Sequence, residues 1–156
     1  MSIFRTAQVS PVFAVANVAG RDRVVSDVDP SPQELLRALP GTGELMASVG
    51  RCFGGCWHAA RAGNYDLAAY FVRRTRSLLR GLAFVRPKYR DQVAEYDRDH
   101  LEAVYQALLS RDLPGFERAY ERAVERANFY HVDTGHAYIR WRTPEEPPDL
   151  GLDLSP

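Results

Sequence analysis

The chain is 156 residues long, the length of one domain and enough to bury roughly two-thirds of its unfolded surface. Its 20 basic and 20 acidic residues cancel, so no overall field draws it to nucleic acid or to an anionic membrane surface. Cys52 and Cys56 stand four apart within one helical pattern, a spacing that suits buried free thiols better than a disulfide; with no uninterrupted apolar run for export, a cytoplasmic protein is expected.

Residues 1–30 show no helical period. Val and Phe recur there in loose alternation, the pattern of an extended arm or a short strand pair. Pro30 and Pro32 mark a boundary, and Ser31 can cap a short helix, PQELLRAL, that Pro40-Gly41 stops. The first long helix is expected from a cap at Thr42 to about Ala62. Leu45, Val49, Cys52 or Phe53, Cys56 and Ala60 make its apolar face, widened by Met46 and Trp57. Gly50, Gly54 and Gly55 each lower helix propensity by roughly 1 kcal/mol, so they call for close approach of another helix or room for a ligand.

Gly63 ends that helix and Asn64 caps the next, which runs from Tyr65 to about Phe84 as an antiparallel neighbour. Its inner stripe is read as Leu67, Phe71, Leu78 and Leu82, with Arg74 on the same stripe, where it pairs internally, meets an anionic ligand or snorkels to the bundle edge. Arg86-Pro87 closes it. The third helix runs from about Arg90 to Ser110, with Val93, Tyr96 or Asp97, His100, Val104 and Ala107 or Leu108 inward. Asp112 caps the fourth, whose inner face is Phe116, Ala119 or Tyr120, Ala123, Ala127 and Tyr130 or His131, with Gly135 as its stop. The rest, rich in proline, cannot be helical; Tyr138, Ile139, Trp141 and three later leucines make it an extended strap.

The expected architecture is all-α: an antiparallel four-helix bundle over 31–136, an N-terminal extended arm over 1–30 and a C-terminal Pro-rich strap over 137–156. The arm and the tyrosine-rich helix faces offer apolar surface for a homodimer.

Chemistry concentrates between Glu125 and Trp141, where a helix ends in Asn128, Phe129, Tyr130 and His131 and a second histidine, His136, follows Gly135. A single inward histidine at a helix end can ligate haem iron, with small and aromatic residues on facing helices making a flat slot. Met46, Val49, Phe53, Trp57 and Tyr130 are the expected walls, and Arg74 the expected partner of a propionate. Asp97-x-x-His100 has the form of half a di-iron motif, but no second such pair occurs. Cys56 and His58, two apart on a helix, do not face each other.

The fourth helix and tail resemble four-helix-bundle cytochromes of the c-prime kind. The residues that carry the likeness are Asp112, Phe116, Ala119 and Tyr120, then Ala127-Asn128-Phe129-Tyr130-His131, then Gly135, Tyr138, Ile139, Pro144, Pro147 and Pro148. GNYDLAAY, from Gly63 to Tyr70, matches the opening of that group's second helix. The resemblance implies a haem bundle with His131 at the axial-ligand position. Ala127 and Tyr130 occupy the places of the two thioether cysteines, so covalent haem c is excluded. What remains is a binding protein holding non-covalent haem or a similar flat ligand through His131. Two alternatives stand beside it. One is an enzyme using oxygen, peroxide or nitrogen oxides in the same pocket, assisted by His58 or Arg74; the other is a ligand-free bundle serving as an interaction subunit.

Overall fold

The computed structural model describes residues 29 and 31–156; the arm expected over residues 1–30 lies, Asp29 apart, outside the described residues. The described chain is an all-α bundle. A short α1 (Pro32–Ala38) precedes α2 (Thr42–Arg61) and α3 (Tyr65–Val85). A single 3-10 turn, Pro87–Tyr89, leads into α4 (Arg90–Tyr96), which a π-helical turn, Asp97–Leu101, joins to α5 (Glu102–Leu109). The final helix is α6 (Leu113–Asp133). α2 packs along α3, α3 against the α4–α5 rod, that rod against α6, and α6 back against α2.

Local chemistry sets these boundaries. Ser31 and Glu34 form a reciprocal capping box on α1. Asn64 and Asp112 cap α3 and α6 by accepting from the backbone N–H groups of Leu67 and Gly115. Thr42 does not cap α2: Gly41 stands at the cap, and its N–H is taken by the Glu44 carboxylate at 3.1 Å. Three helices end in the same return. After α2 the N–H groups of Gly63 and Asn64 go back to the carbonyls of Ala60 and Ala59. Arg111 and Asp112 do the same to Leu108 and Ala107, and Gly135 and His136 to Val132 and His131. Each is a Schellman turn with a left-handed pivot, at Gly63, Arg111 and Gly135.

Two registers differ from the expected ones. On α3 the buried positions are Ala68, Ala69, Phe71, Val72, Thr75, Leu79 and Leu82, so Thr75 faces the core and Arg74 is exposed. On the α4–α5 rod, Leu101 takes the core place expected for His100. The π turn inserts one residue into the repeat and rotates all that follows, bringing Leu101, Val104 and Leu108 inward after Tyr96. Asp97, at the start of that turn, pairs with Arg76 and Arg80 of α3 rather than with His100. His100 stacks on Tyr96 instead.

One end of the bundle is filled by aromatic rings. Phe53 and Tyr120 stack at 4.2 Å, Trp57 and Phe116 close around Tyr120, and the Tyr120 hydroxyl donates to the Phe53 carbonyl. The residues after α6 carry no helix and lie along α2 as far as its C-terminal turn, where Asn64 donates to the Ser155 carbonyl. The α2 glycines face this segment. A Cβ on Gly50 would meet Trp141, one on Gly54 would meet Pro148 and Pro144, and one on Gly55 would crowd Leu150 and Phe71. The close approach at these glycines is therefore made chiefly by the non-helical C-terminal segment rather than by another helix, with Phe71 of α3 sharing it at Gly55. Among the described residues no helix is long and apolar enough to cross a membrane.

Candidate functional site

At the other end the bundle is hollow. The N-terminal half of α2, the C-terminal half of α3, the start of α4 and the end of α6 surround a cavity of about 400 Å³, within the range of small-molecule sites. α2 contributes Met46 and Val49; α3 contributes Thr75, Leu79 and Leu82; α4 contributes Gln92, Val93 and Tyr96. α6 contributes Ala127, Tyr130, His131 and Thr134, and the chain beyond it brings His136, Tyr138, Ile139 and Trp141 to the same space. No Arg, Lys, Asp or Glu side chain lines it among the described residues.

The Schellman turn at Gly135 builds the mouth. It folds the chain back so that Ile139 presents its carbonyl to His131 Nδ1 at 3.1 Å. A carbonyl only accepts, so Nδ1 carries the proton and Nε2 keeps its lone pair. Burial pushes the His131 pKa down, the Ile139 carbonyl opposes this, and nearby His136 adds to the lowering. The neutral ring with a bare Nε2 is therefore favoured. Thr134 gives its proton to the Tyr130 carbonyl at 2.7 Å, which leaves its oxygen to accept from His136 Nδ1 at 3.1 Å. His136 is thereby set in the same tautomer as His131.

Asn128 fixes the roof. Its amide accepts from the Trp141 N–H at 2.7 Å and donates to the Trp141 carbonyl at 2.8 Å, a two-bond clamp like a rung of sheet. The Trp141 ring then packs on Phe53 and stands edge-on to His131.

Among the described residues, three polar atoms of the walls are buried without a hydrogen-bond partner: Thr75 Oγ1, Gln92 Oε1 and Tyr130 Oη. The Tyr96 hydroxyl, by contrast, donates to the Ala123 carbonyl at 3.1 Å. Burial pushes the Tyr130 phenol upward, with the Arg126 guanidinium pulling the other way; that guanidinium pairs with Glu95 and lies over the Tyr130 ring.

Of the residues singled out in the sequence, Met46, Val49, Tyr130 and His131 meet in this cavity. Phe53 and Trp57 lie in the aromatic layer beyond Trp141, and Arg74 and His58 are not among the cavity residues. Cys56 is fully buried, with its thiol pKa pushed up by burial, and Cys52 is half-buried; both are free. Among the described residues no three His, Cys, Asp or Glu side chains gather as a metal would need. Sequence reasoning missed Thr75 and Gln92 as site residues. Thr75 carried a usable sign, a polar side chain one step from an apolar stripe. No protein-family description, curated protein or solved structure matches this chain.

Proposed function

We propose that this chain is a small-molecule binding protein. It holds a flat, largely apolar ligand in the cavity between α2, α3, α4 and α6, with His131 as the anchoring group. The observation that carries this reading is His131 itself, whose Nδ1 is tied to the Ile139 carbonyl while its ring lines the cavity. A ring held through one nitrogen offers the other to iron or to a ligand's proton.

Non-covalent haem is the first candidate, and the walls fit it in part. His131 suits an axial ligand, and the aliphatic and aromatic sides suit a porphyrin face. The propionates find no cation among the lining residues, and Arg74, the expected partner, is exposed. Haem bound here would have to send both carboxylates out through the mouth. The enzyme reading loses the same help, because neither His58 nor Arg74 lines the cavity; His136 is the second imidazole at hand.

A visible spectrum of the purified protein, before and after adding haem, tests this. Saturable appearance of a Soret band that His131→Ala abolishes supports haem as the ligand. A spectrum identical to free haem, in both proteins, removes haem and leaves an organic ligand. The free cysteines suit a reducing, cytoplasmic setting. A homodimer belongs to the same proposal: Phe84 and Tyr138, 82% and 80% exposed, add apolar surface with Phe129 and Val132, and sedimentation velocity would register the doubled mass.

A further inference from the structure

The cavity walls hold more hydrogen-bonding capacity than the protein uses. Thr75 is 1% exposed and the one buried polar residue of the described core. A helical threonine in that position ordinarily donates to the carbonyl four residues back, here Phe71, yet its hydroxyl has no partner. Gln92 is more specific. Its Nε2 donates to Asp133 Oδ2 at 3.1 Å, and a carboxylate can only accept, which fixes the amide so that Oε1 is the free end. That oxygen is buried and unpaired. His131 Nε2 is a further acceptor by the tautomer that Ile139 imposes. Buried polar groups left without partners are uncommon and costly, and Thr75, Gln92 and His131 line one cavity in which, among the described residues, no Arg, Lys, Asp or Glu side chain takes part.

We infer that the cavity is a site for a neutral, planar ring compound bearing a hydroxyl or N–H group, whose proton is received by Gln92 Oε1 or His131 Nε2 and whose heteroatom meets Thr75 Oγ1. The inference rests on the cavity being the ligand site and adds the class of ligand. Acceptors fixed in the wall select for a donor; the lack of Arg and Lys among the described lining residues selects against carboxylates and phosphates. A site built around such groups rejects an analogue of equal shape that lacks the donor, because the wall atoms are then buried unpaired.

The test uses the full chain and two probes of nearly the same shape, 2-naphthol and 2-methylnaphthalene, titrated while the ring resonances of His131 are followed by NMR. The expected result is that both perturb His131 and that 2-naphthol binds about tenfold or more tightly. In Thr75→Val/Gln92→Leu the preference falls to within about twofold, chiefly through loss of 2-naphthol affinity. Thr75→Val alone, which keeps the shape of the side chain, shows part of the same loss and serves if the double variant does not fold. Equal binding of the two probes, or a preference that survives in the variants, overturns the donor-selective site while leaving the cavity as the ligand site. A His131 signal that neither probe moves overturns both.

Discussion

At the scale of single residues, the site is defined by which hydrogen-bonding atoms are used and which are left over. His131 and His136 each have Nδ1 engaged by a neighbour, so each directs chemistry through Nε2. The Thr75 hydroxyl is engaged by nothing among the described residues. Thr75→Val should therefore leave stability unchanged or raise it by up to about 1 kcal/mol, whereas a hydrogen-bonded buried threonine would lose about as much; urea unfolding of the two proteins measures this. The histidines also set a pH dependence. Burial lowers the pKa of His131, and burial together with Arg126 lowers that of His100, below the ordinary value of 6.5. As pH falls through about 6.5, the unfolded chain takes up protons before the native state does, so stability falls. The urea midpoint should be lower at pH 5.5 than at pH 7.5, and His131→Ala should show a smaller drop.

At the scale of elements, most helix ends were legible because caps and stops are local. Ser31, Asn64, Asp112, Gly63 and Gly135 act where the sequence places them. What the sequence did not disclose is long-range. The one-residue rotation on α3 exchanges Arg74 for Thr75, since Leu67 and Leu78 are only partly buried and the small Ala68 and Ala69 pack fully. The π turn on the α4–α5 rod is invisible to a 3.6-residue repeat, and it exchanges His100 for Leu101. Met46, Val49, Tyr130 and His131 could be named from periodicity, as inward positions of α2 and α6 near one end. Gln92 could not, because its role depends on Asp133, 41 residues away. The α2 glycines separate on the same grounds. Gly50→Ala meets Trp141 at an ordinary 3.7 Å and should stabilise by up to about 1 kcal/mol through helix propensity. At Gly55 the new methyl would sit 2.8 Å from Leu150 Cδ1 and 3.0 Å from two atoms of Phe71. Overpacking of this kind costs about 1–3 kcal/mol, so Gly55→Ala should destabilise; thermal unfolding of the pair compares the two directly.

At the scale of the whole molecule, the two ends of the bundle have different work. The end built on Phe53, Trp57, Phe116 and Tyr120 is closed by stacked rings. The other end leaves a cavity lined in part by the chain that returns from Gly135, clamped to α6 through Asn128 and Trp141. The chain after Gly135 thus does two things: it lines part of the cavity, and it supplies the carbonyl that orients His131. The account stands on that histidine presenting a bare Nε2 to the cavity, and long-range proton–nitrogen NMR of its ring at pH 7.5 reads this directly. A neutral ring with its proton on Nδ1, titrating below the ordinary histidine range, is the predicted result. A proton on Nε2, or an imidazolium at that pH, would contradict the account, because the atom assigned to the ligand would already be occupied.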